Sequence, residues 1–289
     1  MTALIFSVLA SACIFLIFKL FPKWGIDTFQ AIVFNYFTAF ICGIALFHNE
    51  WQASSWTHRE WLAPAVIASL LFISLFVIMG LSAQRNGVAP TSIAVKMSMA
   101  LSVITMIAFY HEPLSVLKIS GIILAIAGVV SVSIPAKTDD VEARSPWMLL
   151  VLFIGSGLLD VVLNVTQERF LAHLSPSLFS AIGFGFAGLL GLLILMVQIV
   201  LRKARFEWKN LIAGIILGIP NYFSIYLLLA AYTSTGWTDS TVLAVINVSV
   251  VGLAAVLGWL IFKEKMTKLR MIGFLGAIGA IVCIYFSEI

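Results

Sequence analysis

Charge is scarce in this chain: Asp, Glu, Lys and Arg make up 10% of 289 residues, against 62% hydrophobic residues, and the mean hydropathy is +1.10. A water-soluble domain of this length needs a far larger charged surface, so a soluble fold is excluded. Cysteine is scarce too. Cys13, Cys42 and Cys283 stand at unrelated spacings inside apolar stretches, which excludes a disulfide framework and a thiolate metal site. His48, His58, His111 and His173 are dispersed and share no ligand spacing, so no metal is expected. A Walker-type phosphate loop is missing, which argues against ATP hydrolysis, and no cofactor is expected. The buried nucleophile–base pair that an intramembrane enzyme would need is missing as well, so the chain reads as a non-enzyme. The net charge of +4 comes from basic residues in short loops, where they set topology and give no nucleic-acid partner. Short alternating strands, the mark of a membrane β-barrel, are not visible.

What the chain does have is apolar runs of seventeen or more residues from end to end, the pattern of an all-α polytopic membrane protein. Ten transmembrane helices are laid down at 2–18, 28–47, 61–83, 91–109, 115–134, 147–167, 177–200, 211–232, 238–262 and 268–286. The stretch Ala10-Ser11-Ala12-Cys13 imitates a signal-cleavage site, but no Lys or Arg precedes it and the apolar run continues through Phe18. It reads as a retained first span. Short connections make neighbouring spans antiparallel hairpins. The one polar linker, 135–146, carries Asp139, Asp140 and Glu142 near the midpoint. It divides a first five-helix repeat, 1–134, from a second, 147–289.

The repeat is visible in the residues. Glu112, Lys118, Gly121 and Ala125 are followed 152 positions later by Glu264, Arg270, Gly273 and Ala277, and Gly87 by Gly236 after 149. Five spans per half is an odd number, so the second half must enter the membrane inverted. Two inverted five-helix repeats are the architecture of alternating-access transporters, with the site near the midplane between halves. Ten spans as five plus five, the acids Glu112 and Glu264 closing spans four and nine, and the Gly-rich helices five and ten resemble the drug/metabolite transporter superfamily, in particular its EamA-like members. That resemblance covers essentially the whole chain. It implies a membrane transporter whose relatives carry amino acids, nucleobases, sugars or toxic organic ions.

Orientation follows from the loops. Thirteen Lys and Arg fall in the odd-numbered loops and at their helix ends, against three in the even ones. This favours odd loops in the cytoplasm, whereas the family resemblance usually implies both termini inside.

Two charges lie well inside spans. Lys96 sits in Ala94-Val95-Lys96-Met97-Ser98, about 8 Å past the expected start of span four at 1.5 Å per residue. It either snorkels back to the interface or faces a solvated cavity and helps hold a solute. Asp160, Asn164, Gln167 and Glu168 share one face of span six. Asp160 either bonds a neighbouring helix, caps a kink near Gly155 and Gly157, or meets Lys96 across a cavity as an intact or broken ion pair, and it is the candidate carrier of a coupling proton. Asn35 and Tyr36 in span two are candidates for helix–helix bonding or solute contact. Pro220 breaks the backbone ladder beside Asn221 and Tyr222, and Asn247 and Ser249 occupy the repeat-related neighbourhood of Ser98.

The function expected is a secondary active transporter of a small polar or amphipathic organic solute, amino-acid-like or similar. It would reside in the lipid bilayer of a cell or inner membrane. Lys96, Asn35, Tyr36, Asn164, Asn221, Tyr222 and Asn247 would bind solute; Asp160 would couple its movement to an ion, with protons the candidate. The alternative is a non-transporting membrane protein, either an interaction partner or a lipid handler. Nothing in the chain specifies an oligomeric state.

Overall fold

The computed structural model describes residues 1–47, 60–110, 115–134, 145–170, 176–235, 239–264 and 267–287. Among them there is no strand. Eleven α-helices run in order: α1 Thr2–Leu20, α2 Thr28–Phe47, α3 Leu62–Arg85, α4 Val88–Met97, α5 Met99–Tyr110, α6 Val116–Ser133, α7 Pro146–Phe170, α8 Pro176–Val200, α9 Trp208–Ser234, α10 Asp239–Phe262 and α11 Lys268–Phe286. Because α4 and α5 together form one span, the described residues contain ten helical segments long and apolar enough to cross a bilayer. Most of linker 135–146, the four histidines and Glu112 lie outside the described residues.

Span four departs from expectation at both ends of α4. The helix begins at Val88 rather than Thr91, because a carboxylate from the second half, Glu264, caps it: Val88 N–H donates to Glu264 Oε1 at 2.8 Å and Ala89 N–H reaches Oε2 at 3.5 Å. The helix is then interrupted at Ser98, where Leu101 N–H bonds the Ser98 carbonyl, three residues back, at 2.9 Å. A single tightened turn of this kind often marks a functional position. The earlier start places Lys96 about 12 Å into the span instead of 8 Å.

In lipid, helices associate through close packing rather than water exclusion, so small residues make the seams. The first-half helix α6 packs on the second-half helix α11, and the contact is reciprocal. Gly121 faces Ala280 and Ile284, while Gly273, 152 residues after Gly121, faces Gly128 and Val132, which precede Ala280 and Ile284 by the same interval. Their caps match too: Ser115 Oγ accepts from Lys118 N–H at 3.1 Å and Thr267 Oγ1 from Arg270 N–H at 3.4 Å. Packing of α1 on α9 is mirrored by α7 on α3, α2 on α9 by α8 on α3, and α1 on α10 by α7 on α4. Helix α9 runs through Pro220 without ending. Gly214 and Gly218 bring its backbone against α2 at Ala31 and Asn35.

Polar contacts between the halves gather at one end of the bundle, where the odd-numbered connections meet. Asp27 N–H donates to Asn210 Oδ1 at 2.9 Å, and Gln30 Nε2 donates to the Arg205 carbonyl at 2.9 Å. Asn86 exchanges two 3.0 Å bonds with the Ser145 backbone. Lys19 Nζ lies 3.8 Å from Glu264 Oε1 and donates to the Gln84 carbonyl at 2.9 Å, and Lys23 Nζ sits 5.4 Å from the centre of the Phe262 ring. Buried polar groups in a membrane protein are costly unless partnered, and these are partnered.

Candidate functional site

Two adjoining cavities lie between the halves. One, of about 270 Å³, is lined by residues of α2, α3, α4, α7, α8 and α9; the other, of about 350 Å³, by α4, α7, α9, α10 and the turn between α4 and α5. They share Val95, Lys96, Ser156, Leu159, Asp160 and Leu163. Lys96 stands at the junction of the two cavities, and Asp160 stands there with it. Each keeps part of its surface open, and that surface gives onto the cavities.

The two charges share a cavity but not a direct bond. Among the described residues no nitrogen–oxygen contact within 4.0 Å joins them. Asp160 Oδ2 instead accepts from Ser98 Oγ at 3.2 Å, and the same hydroxyl reaches the Val95 carbonyl at 2.7 Å. The turn that interrupts span four thus orients the carboxylate of span six. This leaves the ammonium free of any hydrogen bond to a described residue, while Asp160 lines the same two cavities. Opposite charges held apart in one cavity are arranged to receive complementary charges from something else.

Aromatic rings supply one wall. Tyr36, Phe72, Phe76 and Phe184 line the smaller cavity. Tyr36 stands 5.6 Å from Phe76 and 5.7 Å from Phe184, and Phe72 stands 5.2 Å from Phe184, centre to centre. The Tyr36 hydroxyl donates to the Phe72 carbonyl at 2.6 Å, so what it can offer a ligand is its ring. Asn221 also lines this cavity; its Nδ2 is buried without a partner, an expensive arrangement unless a ligand or water completes it. Asn247 lines the larger cavity and approaches Met99 Sδ at 3.8 Å.

Two of the expected site residues point elsewhere. Asn35 is fully buried, does not line either cavity, and has no hydrogen-bond partner on either amide atom. It lies where α2 meets Gly214 and Gly218 of α9. Tyr222 is buried against Gly43 of α2 and is likewise absent from both linings. The side chain of Asn164 lies outside the described ones. Sequence reasoning missed Ser156, one helical turn before Asp160 on α7 and lining both cavities. Its signal was there in the i, i+4 spacing to Asp160, hidden because Gly155-Ser156-Gly157 also reads as a packing seam. Among the described residues no group of three or more His, Cys, Asp or Glu could hold a metal.

Fold and cavity together define a ten-span, multi-pass membrane protein with a charged internal site. Comparison with known proteins then identifies the lineage. The EamA-like transporter family matches residues 1–134 and 147–286, and the chain belongs to that family, whose members are transporters rather than enzymes. It is 28% identical over 291 residues to an uncharacterized protein of Haemophilus influenzae, covering 99% of this chain and 98% of that one. One protein of solved crystal structure aligns over 96% of each chain with a TM-score of 0.59 at 12% identity. That likeness speaks for the fold alone.

Proposed function

We propose that the protein is a secondary active transporter, resident in a cell or inner membrane, that moves a small polar or amphipathic organic metabolite by alternating access. The observation that carries this is the pair Lys96 and Asp160, both opening onto the same cavities and not neutralised by direct contact with each other. A structural ion pair would be closed. An open one suits a solute bearing a carboxylate or similar acceptor for Lys96 and a donor or positive group for Asp160, amino-acid-like in its charges. The aromatic wall would take an apolar part of the solute, with Asn221 and Asn247 bonding its polar edges. Asn164, one turn beyond Asp160 on α7, remains a candidate contact, whereas the placement of Asn35 and Tyr222 favours roles in packing α2 on α9.

Alternating access follows from an inverted repeat, and the reciprocal Gly121 and Gly273 contacts between the antiparallel helices α6 and α11 support that relation. The two stretches matched by the family coincide with the proposed repeats and omit the linker. Asp160 is the candidate proton carrier, since binding of solute and of a proton would both act on its charge. The test is thermal unfolding of purified protein against amino acids, nucleobases and organic cations, followed by uptake of each hit into vesicles. A stabilising solute that is also taken up supports the reading. A stabilising solute that never crosses would point to a binding protein instead.

A further inference from the structure

We propose, resting on the alternating-access reading above, that Glu264 is a positioning residue for Lys96 and the latch of a gate at the basic end of the bundle. The carboxylate belongs to the second half yet grips a helix of the first. It accepts from Val88 N–H at 2.8 Å and from Ala89 N–H at 3.5 Å and faces Lys19 Nζ at 3.8 Å. An anion there satisfies two of the unpaired N–H groups that begin every helix and meets the positive end of its dipole. The socket is shaped for it. A Cβ on either Gly87 or Gly258 would lie 2.8 Å from Glu264 Oε2, and Gly87 holds φ +108°, where a side chain is strained.

The gripped helix is short. Helix α4 spans ten residues from Val88 to the interruption at Ser98, with Lys96 near its far end, about 12 Å from the latch. One end therefore lies in the seal and the other in the binding cavity. The neighbouring links, Asn210 to Asp27 and Phe262 to Lys23, also join the halves and separate with them. When the halves rock apart at this end, Glu264 leaves its socket, α4 loses its cap, and Lys96 moves relative to Asp160 on α7. Conversely, a solute that draws Lys96 towards Asp160 pulls on the latch.

The experiment uses the full chain in sealed vesicles of both orientations, with Cys13, Cys42 and Cys283 replaced by alanine and Val95→Cys added in the cavity wall. The reaction rate of that thiol with a charged, membrane-impermeant reagent is measured from each face. Glu264→Gln, which removes the charge-assisted part of these bonds, is expected to raise the rate from the basic end about tenfold and to lower it from the opposite end. Gly87→Ala, which displaces the carboxylate without altering it, is expected to do the same and serves as the second perturbation. Unchanged rates at both faces overturn the latch. So does a rise at the basic end with no fall at the other, which is the result of mere local fraying. Uptake of amino acids, nucleobases and organic cations by vesicles of the protein that keeps Val95 and Glu264 separates the two claims. Reciprocal labelling without uptake keeps the latch and refutes transport; uptake with unchanged labelling refutes the latch alone.

Discussion

Removing the charge at position 96 separates a lysine that binds solute from one that is only tolerated. Lys96→Met keeps an unbranched, apolar stem and sacrifices no hydrogen bond to a described residue. What it removes within the protein is the attraction to Asp160, which lies beyond the 4.0 Å of an ion pair. At an effective dielectric of about 20, two unit charges 4 Å apart attract by about 4 kcal/mol, and the cost of desolvating both ions offsets most of that. Stability without ligand is therefore expected to change by about 1–2 kcal/mol. Binding is a different matter. One charge-assisted hydrogen bond contributes about 1.5–3 kcal/mol, a rise in Kd of roughly 10- to 150-fold when it is lost. A solute present at one hundred times its Kd stabilises the parent by about 2.7 kcal/mol; after a hundredfold loss of affinity the same concentration stabilises by only about 0.4 kcal/mol. The assay is the thermal shift of detergent-purified protein with and without the solute. A full ligand-induced shift in Lys96→Met refutes the assignment. So does a large loss of stability without ligand that leaves the ligand response proportionate, because that is what a packing role produces.

Asp160→Asn is expected to abolish any proton movement that accompanies solute entry while sparing part of the solute binding; vesicles loaded with a pH indicator show whether the alkalinisation or acidification survives, and its survival removes Asp160 as the carrier. The double variant of Lys96→Met with Asp160→Asn is expected to depart from additivity by about 0.5–3 kcal/mol in stability, whereas strict additivity would mean that the two charges do not sense each other. Tyr36→Phe leaves the Phe72 carbonyl without its 2.6 Å donor and is expected to cost about 1–3 kcal/mol in stability while preserving the ligand-induced shift, since the ring remains. Gly218→Ala places a Cβ 2.8 Å from the Asn35 carbonyl and is expected to destabilise by about 1–3 kcal/mol; at Gly252 nothing lies within 4 Å, so Gly252→Ala is expected to be neutral within about 0.5 kcal/mol.

How far the site was legible depended on whether its determinants were local. Ten spans could be read because a bilayer demands uninterrupted apolar length, and Lys96 and Asp160 stand out in the sequence because a charge in that setting has few uses. The start of α4 could not, since its cap comes from a residue 176 positions away, whereas sequence rules for capping look only three or four residues ahead. The aromatic wall was hidden for another reason. Phe72, Phe76 and Phe184 are three of 22 phenylalanines, and in lipid an apolar residue is equally at home facing the membrane or a cavity, so hydropathy carries no orientation. Polarity alone does not give direction at Asn35 and Tyr222 either. Both are polar, but the face of α2 that meets α9 is set by Gly214 and Gly218, and that seam carries them away from the cavities.

The same distinction explains why the charges are separated as they are. Had Asp160 been left to Lys96 alone, the pair would close and the cavity would hold a neutral, self-satisfied unit with little to offer a solute. Ser98, in the turn where span four is interrupted, offers one carboxylate oxygen a competing contact at 3.2 Å, while its hydroxyl lies nearer the Val95 carbonyl at 2.7 Å. A continuous helix at that point would carry its hydroxyl at regular register, with no extra constraint tying the turn to α7. The interruption at Ser98 and the long-range cap at Val88 thus isolate α4 as a unit of its own, fixed at one end by the second half's carboxylate and at the other by the site. If the site binds and releases a solute as proposed, that isolation matters more than the strength of any one contact in it, because a conformational change can only be driven by a ligand that interacts differently with its two states.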